Sequence, residues 1–248
     1  RFRAQELLPI PVVDAIIDHV IIGESTNDEG EAMRKVLLVF AHRELVSRYV
    51  DVCRTAGVRL VGIDLEPFAL LRAIAPPASG DSAVVAVAIG NERTIMAVSD
   101  GRICDFVRVL DWGGSSIDVA LAHALDLAPS QAEPLKRDLM TDGAETELTP
   151  VQLELARNAV RTEISVLGRE LVSSLRFYQS RSDSLAIGEV VITGGTAELT
   201  GIAEELQRHL GAAVRVADPL ARVQLPKKFN RPADVGSLAV AVGLGIED

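Results

Sequence analysis

Cysteine is nearly missing from this chain: Cys53 and Cys104 are the only two in 248 residues. Two thiols exclude a disulfide framework. Since both lie in apolar-leaning stretches, a reduced buried thiol is their ordinary state, which suggests a cytosolic compartment. Aromatic residues make up 4% of the sequence, and its lone Trp112 reads as packing. Basic charge is scarce as well. With 25 Lys and Arg against 35 Asp and Glu, the net charge of -10 offers no basic field to nucleic acid or an anionic bilayer. No apolar run approaches the roughly 20 residues of a membrane span, and no signal peptide opens the chain, so membrane association would come through a partner. His19, His42, His123 and His209 are scattered, without a His or Cys pair at ligand spacing, which argues against zinc. The G-x-S-x-G elbow, the G-x-x-x-x-G-K-[ST] loop and the G-x-G-x-x-G fingerprint are missing too.

What remains is a globular composition, 48% hydrophobic and 24% charged, long enough for two compact units or one large mixed domain. The runs "VVDAIIDHVII" and "RKVLLVFA" flank the polar turn "GESTNDEG" and predict a hairpin. Residues 43–56 place Leu45, Val46, Tyr49, Val50 and Cys53 on one helical face, with Gly57 as C-terminal cap. In "VRLVGIDLEPFALLRAIA" the pattern predicts a strand ending at Glu66, then a short helix that Pro67 starts, and "PPASGDS" reads as a boundary. Beyond it, "AVVAVAIG", "RTIMAVSDG" and "RICDFVRVL" are strand-length, with Asp100-Gly101 as a hairpin turn, and "GGSSIDVALAHAL" starts a helix. Ser130 and Glu133 have capping-box spacing, and "LMTDGAETEL" is an acidic loop. Thr149 and Pro150 open a long helix to about Ser180. A strand "EVVIT", a glycine pair, a helix closed by Gly211, a strand "AVRVA" and an Ala-rich buried helix in "SLAVAVGLGI" complete the chain.

Three features could carry chemistry. The turn "AIGNERT" could cradle a phosphate on its N–H groups and a Thr hydroxyl, and a plain hairpin turn explains it equally. Gly194 and Gly195 precede a helix, where bare backbone admits a flat ring, or where the chain simply turns from strand to helix. Asp64 and Glu66 are spaced to share a strand face at a strand's end, where α/β sheets place their clefts, and surface charge is the competing reading.

In that order, the strand-end acid, glycine hairpin, long helix and late Gly-Gly resemble the actin, Hsp70 and sugar-kinase superfamily. Within it, "LLVFAHRELVSRYVDVCRTAGVRLVGIDLEPFALLRA", "GGSSIDVALAHALDL", "SLRFYQSRS", "VVITGGTAELTGIAEELQRHLGAAVRVADP" and "LAVAVGLGI" are similar to the PilM family, FtsA-like cytoplasmic proteins of type IV pilus assembly. The resemblance implies an α/β, actin-like (ribonuclease H-like) fold. Residues 1–57 would be the inserted small α+β subdomain (1C-like, SHS2-like). Residues 58–80 and 221–248 would be the remnant of the first actin-like half, and 81–220 the second half. It also implies an adaptor that binds ATP or ADP with Mg²⁺ and clamps the cytoplasmic N-terminal tail of PilN, peripheral to the inner membrane, in a groove between the insert and the first half. Other pilus platform proteins would be partners, self-association as in actin relatives is left open, and no nucleic acid is expected.

Carried over by residue, Gly194, Gly195 and Thr196 match the adenosine motif. Gly90, Asn91 and Thr94 fall in the second phosphate loop, and Glu66 sits where relatives keep a polar group near the attacking water or metal. Ala88 departs from the family's Asp, which removes a contact to Mg²⁺ and argues against turnover. Because the chain opens at Arg1, in "RFRAQELLP" that reads like the end of a helix, an upstream piece carrying the first phosphate loop is expected to be missing. Losing that half of a clamp forfeits hydrogen bonds of about 1.5 to 3 kcal/mol each, so weak or no nucleotide binding is expected of this stretch alone. The competing readings are an ATPase or small-molecule kinase on the same fold with Glu66 as base, the cytoplasmic platform domain of a type II secretion system, and FtsA itself.

Overall fold

The computed structural model describes Gln5 and residues 8–27, 30–76, 82–139, 148–232 and 234–246. The chain divides into two compact units, Arg1–Ile63 and Asp64–Asp248. In the first unit a 3-10 turn (Val12–Asp14) leads into strand β1 (Ala15–Thr26), which pairs antiparallel with β2 (Ala32–His42) and is followed by helix α1 (Arg43–Thr55). The hairpin is longer than its sequence suggests. Residues 23–26, read as turn, continue β1 opposite 32–35 after a bulge between Ile21 and Gly23. The reversal is then held by Asn27, whose Oδ1 accepts from the Glu31 amide at 2.8 Å. Arg43 ties the start of α1 to the start of β1, donating to the carbonyls of Val13 at 3.2 Å and Ala15 at 2.8 Å. The helix closes as its glycine signals. Gly57 takes φ +69° and the Val58 amide reaches back to the Cys53 carbonyl at 2.9 Å.

Residues 58–65 correct the sequence reading, because no strand forms there among the described residues. An extended apolar run becomes a strand only where a neighbour takes its backbone hydrogen bonds, and among the described residues no strand pairs with this run. Glu66 is instead the first residue of α2 (Glu66–Ile74), with Pro67 in its first turn. Asp64 and Glu66 therefore share no strand face. Asp64 lies outside the helix, paired with the Arg72 guanidinium and accepting from the Leu65 amide at 2.7 Å.

The second unit is built on a five-stranded sheet in the order β5-β4-β3-β6-β7: β3 (Ser82–Ile89), β4 (Thr94–Ser99), β5 (Cys104–Leu110), β6 (Ala186–Thr193) and β7 (Ala213–Val216). β3, β6 and β7 run parallel, while β4 and β5 return as an antiparallel meander. Side chains alternate across a strand, and β3 uses both faces. Val85, Val87 and Ile89 enter the larger core, under α3 (Gly114–Leu125), α5 (Pro150–Gln179) and α6 (Ile202–Leu210), whereas Val84 and Ala86 enter a smaller core with α2 and α7 (Ala239–Leu244). That continuous apolar run is what a strand covered on both sides requires.

Thr149 caps α5 with a reciprocal capping box to Gln152, and Ala156, Ile164, Leu167, Leu171, Leu175 and Tyr178 form its buried stripe. Ser130 does not act as a cap. The helix α4 (Pro129–Leu139) starts one residue earlier, at a proline that needs no N–H partner, and the Gln131 side chain accepts from the Ala128 amide at 3.2 Å. Most of the expected boundary at 76–82, residues 77–81, and most of the acidic loop, 140–147, lie outside the described residues.

α2 and α7 meet closely enough that a Cβ on Gly243 would stand 1.8 Å from the Ala69 carbonyl oxygen, and Arg72 Nε donates to the Gly243 carbonyl at 2.9 Å. Gly243→Ala is therefore expected to lower unfolding free energy in urea by about 1–3 kcal/mol, since the helices must separate. The thiols differ as well. Burial pushes Cys104 up to about 12, so iodoacetamide at pH 8 should label the partly exposed Cys53 in the folded protein and leave Cys104 for the unfolded state.

Candidate functional site

β3 and β6 are parallel neighbours at the centre of the sheet, and the chain leaves them in opposite directions, towards β4 and towards β7. Such a divergence opens a crevice at the carboxyl ends of the two strands. Three glycine-bearing turns converge there. The first joins β3 to β4. Its Gly90 amide donates to the Arg93 carbonyl at 3.0 Å, and the carbonyls of Gly90 and Asn91 accept from the amides of Gly114 and Ser115 at 2.9 and 2.8 Å. The first turn of α3 is thus docked onto the hairpin turn. The amides of Asn91 and Glu92, both exposed residues, donate to no other group among the described residues.

The second turn is Gly113-Gly114, where a Cβ would stand 2.3 Å from the Asn91 carbonyl oxygen at the first position and 2.5 Å from Thr196 Oγ1 at the second. The third follows β6. Gly194 takes φ +99° and ψ 161°, a conformation essentially confined to glycine, and a Cβ there would lie 2.3 Å from the Ile89 carbonyl oxygen. Gly236 closes the packing from behind, its Cβ position 2.8 Å from the Gly194 oxygen, while Thr193 Oγ1 donates to the Gly236 carbonyl at 3.2 Å. Gly195 is different. The nearest atoms to a Cβ there belong to the Asp234 carboxylate, at an ordinary 3.4 Å.

Of the residues expected from sequence, Gly90, Asn91, Gly194, Gly195 and Thr196 come together at this crevice. Thr94 does not present its hydroxyl. The side chain is fully buried and donates to the Trp112 carbonyl at 2.8 Å, so it braces the hairpin instead of facing a ligand. Glu66 stands exposed at the head of α2, on the helix layer that covers the other face of the sheet from α3. Gly194 also takes a structural role that its sequence context left open, because its bare Cα is covered by the backbone of Ile89.

Sequence reasoning missed a buried pair beside these turns. Lys136, 7% exposed on α4, donates to Asp118 Oδ2 at 2.7 Å and to the Gly114 carbonyl at 3.1 Å, and the enclosed Asp118 Oδ1 has no hydrogen-bond partner. One signal was legible: Ala132 and Lys136 are four apart, on the face that α4 buries. An open recess of about 390 Å³, lined by Ser115, Ser116, Val119, Ala120, His123 and Glu163, lies between α3 and α5 and holds none of the expected site residues. Among the described residues no three His, Cys, Asp or Glu side chains gather as a metal site.

The sequence profile of the family described as "Type IV pilus assembly protein PilM" matches residues 1–248. The chain belongs to the PilM family. The solved "PilM-PilN type IV pilus biogenesis complex" superposes with a TM-score of 0.74 at 26% identity, covering 98% of this chain and 69% of that chain. The fold is shared more widely. MreB5 of Spiroplasma citri bound to ADP gives a TM-score of 0.59 at 13% identity over 83% of this chain and 65% of its own. Cell division protein FtsA of Escherichia coli (strain K12) is 24% identical over 213 residues, 75% of this chain and 49% of FtsA. That of Bacillus subtilis (strain 168) is 24% identical over 243 residues, 88% and 54%. The chain spans about half the length of the curated relatives it matches. With these PilM, FtsA and MreB likenesses, the sheet and its two helix layers are actin-like.

The two late glycines separate by substitution. Gly194→Ala is expected to cost about 1–3 kcal/mol or more from backbone strain and its clash with Ile89, whereas Gly195→Ala stays within about 1 kcal/mol of the parent in the same urea titration. The opposite order would contradict the packing described.

Proposed function

We propose that this PilM-family chain is part of a cytoplasmic adaptor of the type IV pilus inner-membrane platform, which holds the N-terminal tail of PilN and uses a bound adenine nucleotide to set its closed form. The observation that carries the nucleotide reading is the meeting of three glycine turns at the carboxyl ends of β3 and β6, with chemically different ends. At one end the Asn91 and Glu92 amides offer donors suited to phosphate oxygens. At the other, Asp234 flanks the Cα of Gly195, and its carboxylate suits a ribose hydroxyl or the adenine amine better than a phosphate. Gly195 and Thr196 would therefore hold the nucleoside, and Gly90 and Asn91 the phosphates. A Mg²⁺ ion would be held chiefly by phosphate oxygens and water, since the described residues gather no acidic cluster of their own. When bound, the nucleotide supplies bridging charge across the crevice.

Retention without turnover fits the side chains present. Ala88 packs against the smaller core beside Leu71, Ile95 and Val242 and offers no carboxylate towards the metal. Similarity to a solved PilM–PilN complex supports the partner, and two free thiols support a reducing cytoplasm. No helix among the described residues is long and apolar enough to cross a membrane, in keeping with attachment through PilN. In this reading 1–57 is the inserted subdomain, 81–220 the second actin-like half, and 58–80 with 221–248 the remnant of the first. The pairing of α2 with α7 on one face of the sheet supports grouping those last two segments.

The complete protein, incubated with Mg-ATP, is expected to retain ATP with no steady phosphate release, to bind a PilN tail peptide more tightly when loaded, and to lose ATP affinity at least about tenfold on Gly195→Leu. Steady turnover abolished by Glu66→Ala would replace the adaptor with an ATPase. Unchanged affinity in Gly195→Leu would remove the nucleotide from this crevice.

A further inference from the structure

The net charge of -10 hides a local exception. Residues 219–233 hold four basic side chains, Arg222, Lys227, Lys228 and Arg231, and no acidic one, and two of the chain's four lysines stand there side by side. The segment leaves a 3-10 turn (Pro219–Arg222), and every residue from 221 to 232 is exposed. Its ends are nevertheless fastened. Arg222 Nη1 donates to the Arg72 carbonyl of α2 at 2.9 Å. Arg231 pairs at 2.8 Å with Asp218, whose carboxylate also accepts from the Leu220 amide at 3.0 Å. Between these ties the chain reverses. The Phe229 amide donates to the Pro226 carbonyl at 3.0 Å, which puts Lys227 and Lys228 at the two central positions of a β-turn. Neither ammonium has a hydrogen-bond or ion-pair partner among the described residues. Apolar side chains flank them, Leu225 at 39% and Phe229 at 40% exposure.

We propose that residues 225–229 are a membrane-contact element, which rests on the anionic face of a bilayer and orients the chain there. The shape favours a bilayer over a peptide. Twelve consecutive exposed residues enclose nothing, so the tip offers no groove to a peptide, whereas a deformable surface needs none. Lipid phosphates meet the two ammoniums while Leu225 and Phe229 reach the apolar boundary beneath. The acidity of the remaining chain does not forbid this, because at physiological ionic strength charges beyond about 8 Å are largely screened. Two ammoniums and two apolar side chains make a weak contact, suited to a second hold beside a partner that already tethers the chain. That purpose rests on the proposed attachment through PilN; the contact itself does not.

The complete protein, without nucleotide or PilN peptide, is sedimented at millimolar lipid with vesicles of phosphatidylcholine alone and of equal parts phosphatidylcholine and phosphatidylglycerol. Binding is expected on the anionic vesicles only, and it should weaken as salt is raised. Lys227→Ala/Lys228→Ala should lower the partition at least about tenfold, at roughly fivefold per ammonium, and Phe229→Ser should lower it further at high salt. Both variants should keep the parent's urea midpoint, since the segment is exposed. A parent that binds neither vesicle, or a lysine variant that binds the anionic vesicles as the parent does, would overturn the proposal. A lysine variant that keeps the vesicles and loses a PilN tail peptide would overturn it too, and would assign the turn to a protein partner. Vesicles carrying a lipid-anchored PilN tail keep the two readings apart. If the parent binds them no better than plain anionic vesicles, attachment through PilN fails, while the loss caused by the lysine substitutions still supports the membrane contact.

Discussion

The approach of the Gly194 Cα to the Ile89 carbonyl constrains everything around the crevice. Two parallel strands end side by side, and the chain leaving β6 must cross the end of β3 at backbone distance. Only a residue without Cβ and with φ near +99° can do so. The closeness brings Thr196 over the Gly90 turn and Gly236 in behind, so three connections far apart in sequence reach the same end of the sheet. Gly113 and Gly114 satisfy the same condition from the other side, against Asn91 and Thr196. Bare backbone is here first a packing requirement. A surface that a nucleoside could lie on survives at Gly195, where the nearest atoms to a Cβ are those of the exposed Asp234 carboxylate.

The sheet makes this crossing possible because it is clamped from both sides. Alternation sends Val85, Val87 and Ile89 into one core and Val84 and Ala86 into the other, so β3 is fixed by α3, α5 and α6 beneath and by α2 and α7 above. A strand held on both faces cannot slip by one residue without exchanging its cores. Its end is therefore a firm base for the Gly90 turn. Glu66 heads a helix of the upper layer, while the turns are tied to the lower one through the Gly114 and Ser115 amides.

Much of this was written in local signals. Thr149-Pro150 defined the start of α5, Asp100-Gly101 a hairpin, Gly57 and Gly211 two helix ends, and the five strands of the second unit followed from apolar runs between turn residues. Each depends on neighbours within a few positions. The failures depend on distant partners. Residues 58–65 have strand composition, yet a strand exists only when another takes its hydrogen bonds. Thr94 looked available because the Trp112 carbonyl that receives its hydroxyl is eighteen residues away. Lys136 drew no notice in the sequence because the groups it meets, Asp118 and the Gly114 carbonyl, lie 18 and 22 residues away. Gly113-Gly114 was legible as a helix start, but not as a floor for the Gly90 turn.

The central claim is that the turn after β6 receives the nucleoside end of an adenine nucleotide. Photolabelling of the complete protein with 8-azido-ATP and Mg²⁺, followed by peptide mapping, tests it most directly. Label is expected on residues 194–199 or 234–237, suppressed by excess ATP. Competed label found instead around the recess at Ser115, His123 and Glu163, with none at the glycine turns, would contradict it.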